Sequence, residues 1–230
     1  MIRDREGRTL EEFLAAYDPK KYDQPSITVD MVVFMPRNER LTVLIIKRGN
    51  HPFLGEWALP GGFMNMDETL EEAAARELVE ETGVTDAALH PLGWFDSVHR
   101  DPRGRIVTGA FWAVVPEGCR VAPGDDAAAA MFVPVGLVEL TAGYRVVAHT
   151  KEGPVKASAV WQERPVHNGI HRRLVQGGKS GFGADHGLIL IQAMLALREA
   201  SYGVGVMEAL PDDYTSEDVK RMREILRGRP

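Results

Sequence analysis

The chain has 230 residues, of which 44% are hydrophobic and 26% charged, and its formal net charge is −6. These values are typical of a globular protein with a hydrophobic core, and they argue against binding of nucleic acids through overall charge. The single cysteine, Cys119, excludes an intrachain disulfide and a cysteine-based zinc site. The N-terminus lacks the apolar run of a signal peptide, and no segment approaches the roughly 18 apolar residues of a membrane helix. We therefore expect a cytoplasmic protein.

Hydrophobic periodicity predicts three helices. The first covers residues 9–17. The second covers residues 69–82 and ends before Gly83, which is a natural helix stop. The third covers residues 184–199, and Asp185 would cap its N-terminus. Runs rich in Val, Ile and Thr predict strands at 26–34, 41–48, 88–98, 106–115 and 127–135.

Residues 141–181 differ from the rest of the chain in charge. They contain seven Lys and Arg against two Glu, about +5 within a chain of −6. Strand-like runs at 144–150 and 156–162 predict a hairpin. We interpret the segment as a basic insert between a core of residues 1–140 and a helical C-terminal region of residues 182–230. It could be a substrate lip, a dimer contact or a solvated hairpin, and we favour a modest substrate or dimer role.

An acidic motif lies within the second predicted helix. Residues 62–84 read GFMNMDETLEEAAARELVEETGV. Glu77, Glu80 and Glu81 have i, i+3 and i+4 spacing, so they project from one helix face and repel one another. Mg²⁺ or Mn²⁺, which prefer oxygen ligands, would relieve that repulsion, neutralise a pyrophosphate and activate water. The alternative interpretation is a solvated acidic helix face.

The motif resembles the Nudix box, the signature G-x5-E-x7-R-E-U-x-E-E-x-G-U in which U is an apolar residue. Every fixed position matches: Gly62, Glu68, Arg76, Glu77, Leu78, Glu80, Glu81, Gly83 and Val84. The resemblance implies the fold of that family, an α/β/α sandwich with a mixed sheet. It also implies metal-dependent hydrolysis of the pyrophosphate linkage in a nucleoside diphosphate joined to another moiety.

The resemblance also assigns roles to individual residues. Glu81 and Glu77 would be the principal ligands of Mg²⁺ or Mn²⁺, with Glu80 as a further ligand. Either Glu77 or Glu80 would orient or deprotonate the attacking water. A backbone carbonyl of Gly61 or Gly62 would also reach the metal, because glycine allows close approach to the main chain. Two further residues would form a structural ion pair that holds the loop on the helix: Glu68 and Arg76.

Segments outside the motif resemble bacterial ADP-ribose pyrophosphatase-like Nudix proteins. These segments are residues 17–21, 25–30, 46–48, 51–62, 100–103 and 183–186. That group includes the Nudix-related transcriptional regulators of NAD metabolism. The resemblance makes ADP-ribose the best candidate substrate, with AMP and ribose 5-phosphate as the products.

ADP-ribose requires aromatic surface for its adenine and cations for its two phosphates. The candidate aromatic residues, which could equally belong to the core, are Phe53, Trp57, Trp94 and Phe95. Guanidinium groups pair bidentately with phosphate oxygens, although surface arginines are often only solvated. The candidate cations are Arg48, Arg100, Arg103 and Arg105. Among the cations, Arg48 and Arg103 are the strongest candidates.

A DNA-binding regulator that senses ADP-ribose is the alternative function. Residues 210–226 resemble the opening of the winged helix-turn-helix that such regulators carry. The sequence then reaches Pro230 without room for a recognition helix, and residues 201–230 hold five basic and six acidic side chains. We therefore expect an enzyme that acts on a nucleoside diphosphate, forms a homodimer, and binds neither membranes nor nucleic acid.

Overall fold

In the computed structural model, residues 2–85, 87–122, 127–202 and 215–227 are described. Their helices are α1 (Leu10–Ala16), α2 (Leu70–Thr82), α3 (His186–Tyr202) and α4 (Ser216–Arg227). Their strands are β1 (Ser26–Arg37), β2 (Arg40–Arg48), β3 (Trp57–Ala58), β4 (Gly61–Phe63), β5 (His90–Phe95), β6 (Ile106–Val114), β7 (Ala127–Leu140), β8 (Gly143–Thr150), β9 (Gly153–Val166) and β10 (Gly169–Gln176). The three helices predicted from periodicity are confirmed by α1, α2 and α3.

The strands form one mixed sheet with the order β10-β9-β8-β7-β2-β1-β6-β5, while β3 pairs with β2 and β4 with β1. β1 runs parallel to β6 and antiparallel to β2 and β4. The predicted strands are all present, but β1 and β2 extend into residues 35–40, which lie between the two predicted strands. Their turn is reduced to Asn38 and Glu39, which both adopt positive φ angles, as a tight hairpin turn requires.

Helices cover both faces of the central part of the sheet. Alternate side chains of β1 enter two separate cores. Val32 and Phe34 pack with residues of α3, whereas Met31 and Val33 pack with residues of α2. Because both faces are covered, β1 is apolar along most of its length instead of alternating. The layers therefore form the α/β/α sandwich expected from the sequence.

The basic segment of residues 141–181 extends this sheet. The sequence predicts one hairpin there, but three strands, β8, β9 and β10, continue antiparallel from β7. The sequence pattern does not reveal β10, because most of its residues are exposed and polar. One face of this extension packs against α3 so closely that a side chain at Gly187 would overlap Ala157. The segment therefore supplies three of the ten strands of the sheet and is continuous with it.

The C-terminal segment is described in part. Residues 210–214, where the predicted winged-helix resemblance begins, lie outside the described residues. The later part of that resemblance forms α4, and its Val219 and Met222 are buried in the same core as residues of α3. None of the described helices is long and apolar enough to cross a membrane.

Candidate active site

Helix α2 is fixed at both ends by its own sequence. The Thr69 hydroxyl accepts from the backbone N–H of Glu72, and the Glu72 carboxylate accepts from the backbone N–H of Thr69. Gly83 ends the helix at a φ of 72°, in the left-handed region that favours glycine. Buried Ala74 and Leu78 attach one face to the sheet. The acidic residues of the motif are therefore held by a rigid helix at a fixed height above the sheet.

Strand β4 lies directly beneath the acidic face of α2. A β-carbon at Gly62 would overlap the carboxyl group of Glu77, and one at Gly61 would overlap the carbonyl oxygen of Val29. The backbone N–H of Gly61 donates to Oε2 of Glu81 at 2.8 Å. Glycine is required at Gly62 because the backbone approaches the Glu77 carboxyl group closely, and at Gly61 because it approaches the backbone of β1 closely.

Burial and mutual repulsion raise the pKa values of two carboxyl groups at this contact. The pKa of Glu81 is raised to about 7, chiefly by burial and also by the charges of Glu77 and Asp30, while the hydrogen bond from the Gly61 N–H opposes the rise. Burial also raises the pKa of Glu77, although hydrogen bonding and charge from Arg76 oppose this change. Two carboxyl groups with raised pKa values beside exposed backbone are a common feature of sites that bind cations or transfer protons.

Arg76 organises the rim of the site. Its Nε and Nη2 donate to Glu68 at 2.9 and 2.6 Å, and these hydrogen bonds, together with one from the backbone N–H of Asn65, lower the pKa of Glu68 to about 2. Its Nη1 donates to Glu77 at 2.8 Å and to Glu80 at 3.0 Å, and Nη2 also donates to the Phe63 carbonyl at 3.0 Å. One guanidinium thus joins the loop, β4 and the helix, and it orients both carboxylates that are candidates for handling water.

The predicted metal ligands offer oxygen donors that suit Mg²⁺ or Mn²⁺. Among the described residues, no group of three His, Cys, Asp or Glu side chains is already gathered around one point. Glu77 and Glu81 do face the same cavity, whereas Glu80 is 58% exposed and paired with Arg76. A divalent cation beside Glu77 and Glu81 would compensate the burial that raises their pKa values, so the donor set fits a hard cation.

A buried ion-pair network lies behind this contact. Nε and Nη2 of Arg100 donate to both carboxylate oxygens of Asp185 at 2.7 to 3.1 Å, and Nη2 also donates to Asp30 at 3.3 Å. The side chains of these three residues are 4%, 9% and 8% exposed. The sequence predicts that Arg100 binds a phosphate, but its guanidinium is instead paired with two carboxylates. Asp185, predicted as a helix cap, directs its carboxylate to Arg100.

His186 completes the network. Its Nδ1 accepts from the backbone N–H of Leu59 at 2.9 Å, so in the neutral ring the proton is on Nε2, which lies 3.5 Å from Oδ1 of Asp30. Burial lowers the pKa of His186, against the charges of Asp30 and Asp185, and favours the neutral ring. The sequence analysis did not single out Asp30 or His186 as site residues. The available signals were one aspartate in a largely apolar strand and the resemblance of residues 183–186.

The cavity above the carboxylates has a volume of about 450 Å³. Four of the predicted substrate-binding residues line it: Arg48, Phe53, Arg100 and Arg103. The guanidinium of Arg100 is paired with carboxylates, which leaves Arg48, Phe53 and Arg103 as the candidate contacts. The Arg103 side chain is 43% exposed, pairs with Asp101 at 2.8 Å, and lies over the ring of Phe63 at 5.0 Å. Phe63, which the sequence analysis did not propose, is thus a second aromatic residue in the cavity.

Other predicted substrate residues lie elsewhere. Trp57 is 6% exposed in the core, with the Lys47 ammonium over its ring. Arg105 is exposed and donates to the Asp96 carbonyl at 2.8 Å. On the edge strand β5, Phe95 is buried, whereas Trp94 is 60% exposed. Fewer of the predicted aromatic and cationic residues are therefore available to contact a substrate than the sequence suggests.

A family model described as the NUDIX domain matches residues 25–150, which is more than half of the chain. The match includes the acidic helix, the glycine pair beneath it and the parallel pair of central strands. The chain therefore belongs to the Nudix family.

Three similar proteins illustrate the range of that family. The chain is 39% identical over 128 residues to an ADP-ribose pyrophosphatase of Methanocaldococcus jannaschii, an alignment that covers 54% of this chain and 73% of the relative. It is 38% identical over 107 residues to the ADPR responsive transcriptional repressor NtrR of Acinetobacter baylyi. That second alignment covers 46% of this chain and less than half, 43%, of the repressor. The crystal structure of a MutT/nudix family protein from Enterococcus faecalis superposes with a TM-score of 0.76 at 28% identity, covering 98% of this chain and 83% of that one.

Proposed function

We propose that this chain is a metal-dependent pyrophosphohydrolase that acts on a nucleoside diphosphate joined to another moiety. ADP-ribose is the proposed substrate, and AMP and ribose 5-phosphate are the proposed products. The observation that carries this proposal is the contact of Glu77 and Glu81 with the backbone of Gly61 and Gly62, at the floor of a cavity of about 450 Å³. This volume is within the range of roughly 300–1,000 Å³ that is common for small-molecule sites.

In this proposal, Glu77 and Glu81 hold Mg²⁺ or Mn²⁺, with Glu80 and the Gly61 carbonyl as further ligands. When bound, such an ion neutralises pyrophosphate charge and increases the acidity of water. Arg76 keeps Glu77 and Glu80 oriented through hydrogen bonds of 2.8 and 3.0 Å. One of these two carboxylates orients the attacking water and accepts its proton, while the oxygen that bridges the two phosphorus atoms leaves with one product.

Other cavity residues would bind the rest of the substrate. Arg48 and Arg103 line the cavity and have the charge to contact the two phosphates. Phe53 and Phe63 line the same cavity and offer apolar surface to adenine or ribose. The similarity to an ADP-ribose pyrophosphatase and to an ADPR responsive repressor supports ADP-ribose as the ligand.

The test is hydrolysis of ADP-ribose with Mg²⁺ or Mn²⁺, followed by chromatography of AMP and ribose 5-phosphate. Glu81→Gln should lower turnover by orders of magnitude, because it removes a charged ligand without a change of size. Glu71→Gln is the matched control, since Glu71 is exposed on the same helix. The proposal fails if a folded Glu81→Gln protein retains near-normal turnover, or if the unmodified protein does not release AMP.

An ADP-ribose-sensing transcriptional regulator is the second candidate, and the similarity to the Acinetobacter baylyi repressor favours it. Such a protein would bind ADP-ribose without hydrolysing it and would footprint one DNA sequence at nanomolar concentration. Tight binding of intact ADP-ribose in the presence of metal, with no AMP formed, would favour this candidate. A homodimer is also part of our proposal, and sedimentation equilibrium tests it.

A further inference from the structure

One face of the sheet extension is uncovered in the described part of the chain. On β8, β9 and β10, alternate side chains are buried toward α3; examples are Val146, Ala157 and Leu174. The residues between them point to the opposite side and are exposed or partly exposed. We call this second side the outer face of β8–β10.

The charged side chains of the outer face all have the same sign. Those with a permanent charge are Arg145, Lys156, Arg164 and Arg173, and all four are exposed. The strand register places them on one side, because Arg145 is opposite Ser158 and Arg173 is opposite Gln162. Hydrogen bonds of 3.2 and 3.3 Å between these pairs confirm the shared side.

Acidic residues of the same strands point elsewhere. Glu163 pairs with Arg172 at 3.7 Å on the side of α3, and Glu152 lies in the turn between β8 and β9, where it pairs with Lys47 at 2.6 Å. Within the described strands β8–β10, the outer face therefore has about four positive charges and no compensating carboxylate. A net charge of −6 for the whole chain does not cancel this field, since charges more than about 10 Å away are largely screened at 0.1 M salt.

The chemistry of the face favours a polyanion over a second copy of this chain. A two-fold dimer through this face would bring like charges together, because both copies contribute the same patch. The aromatic residues of these strands, Tyr144 and Trp161, are on the other side, where their rings pack edge to face. The outer face thus offers cations without a surface for stacking exposed bases, which favours a duplex over a single strand.

The dimensions also fit a duplex. Lys156 and Arg164 lie eight positions apart on β9, which corresponds to roughly 27 Å of extended strand. That length matches about eight base pairs at 3.4 Å per pair. Arg145 and Arg173 flank this row on the neighbouring strands.

We propose that the outer face of β8–β10 binds the phosphate backbone of duplex nucleic acid without regard to sequence. The overall charge of −6 favours the opposite expectation, that the chain binds no nucleic acid, but it does not reflect the local charge of this face. This role is separate from hydrolysis, since none of the four cations lines the cavity of about 450 Å³ above Glu77 and Glu81. It also differs from a sequence-specific winged helix, because phosphate contacts position a protein on a duplex but do not read bases.

The proposal is tested by fluorescence anisotropy of the full chain with a labelled duplex of arbitrary sequence. The duplex has 20 base pairs, so that it is longer than the site. With about four phosphate contacts, the logarithm of the affinity should fall with the logarithm of salt at a slope of about −3.6, or roughly a hundredfold between 50 and 200 mM salt. A duplex of unrelated sequence should bind within about twofold.

Two adjacent arginines supply a matched pair of variants. Arg173→Glu and Arg172→Glu change the net charge equally, but Arg173 points to the outer face and Arg172 lies over the Trp161 ring on the other side. Arg173→Glu should weaken duplex binding at least about fivefold and make the salt slope shallower by about 1, whereas Arg172→Glu should change the affinity about twofold or less. Circular dichroism and melting curves check that both variants fold.

Several results would overturn the proposal. These are the absence of duplex binding at 50 mM salt, equal weakening by the two variants, or clearly tighter binding of a single strand than of the duplex. Concentration-dependent self-association that Arg173→Glu abolishes would instead identify the face as a protein interface. AMP release from ADP-ribose should be unchanged in Arg173→Glu, so failure here is distinguishable from failure of the hydrolase proposal.

Discussion

Arg100 and Asp185 are 85 positions apart in the sequence and form a buried bidentate ion pair, with Nη2 of Arg100 at 2.7 Å from Oδ1 of Asp185. The pair connects the turn after β5 to the beginning of α3, and the same guanidinium also reaches Asp30 in β1. Three elements around the cavity are therefore held by one side chain. Each of these charges would destabilise the folded state if it were buried without a partner, so the site depends on all three residues of the network.

Removal of Arg100 should destabilise the protein strongly. Arg100→Ala leaves Asp185 and Asp30 buried without their cation, and we expect the free energy of unfolding to fall by about 3–5 kcal/mol. Urea denaturation followed by tryptophan fluorescence measures this loss. Arg105→Ala is the control, because the Arg105 side chain is exposed, and its effect should stay within about 0.5 kcal/mol. Equal stability of the two variants would show that the buried network contributes little.

Glu81 should make the metal-free protein less stable as pH rises. Its pKa is about 7 in the folded state against an ordinary value of 4.5 in the unfolded chain, so between these values the folded state binds more protons than the unfolded state. The contribution is present below pH 4.5 and is lost as pH rises through about 7, with a ceiling of about 3 kcal/mol. Unfolding in EDTA from pH 5 to 8 should show this loss in the unmodified protein and not in Glu81→Gln. Parallel pH profiles of the two proteins would contradict the assignment.

The contact between Gly62 and Glu77 should be necessary for activity. Gly62→Ala introduces a methyl group into the space of the Glu77 carboxyl, which must then move away from the cavity floor. We expect kcat for ADP-ribose to fall at least about a hundredfold, because displacement of a catalytic group by about 1 Å has effects of that size. Gly136→Ala is the control, since a β-carbon there meets no atom within 4 Å. Normal turnover of Gly62→Ala would rule out this contact as a constraint.

The cavity should prefer ADP-ribose to nucleoside triphosphates. Arg103 lies over Phe63 at the rim and is suited to the second phosphate and the terminal sugar. We expect kcat/KM for ADP-ribose to exceed that for ATP, GTP or 8-oxo-dGTP by at least about tenfold, or roughly 1.4 kcal/mol. Arg103→Ala should reduce this ratio and Arg105→Ala should not, as side-by-side rates at low substrate concentration would show. A higher kcat/KM for a triphosphate than for ADP-ribose would exclude the ADP-ribose assignment but not the hydrolase proposal.

The sequence by itself determined the local elements and the chemical class. The spacing of Glu77, Glu80 and Glu81 and the stop at Gly83 are consequences of helical periodicity and local backbone preference, so α2 could be located without tertiary information. The same holds for the central strands, whose apolar runs are long. Membership in the Nudix family followed from a motif that occupies one contiguous stretch.

Only the tertiary structure decided which distant residues meet. Arg100 looked like a phosphate ligand because three arginines cluster in its turn, and no local pattern reveals that Asp185 and Asp30 neutralise it from two other elements. Likewise, β10 was hidden because a strand at a sheet edge buries little and so loses its alternation. Ion pairs and edge strands depend on contacts across long sequence separations, and such contacts exist only once the sheet and helices have assembled.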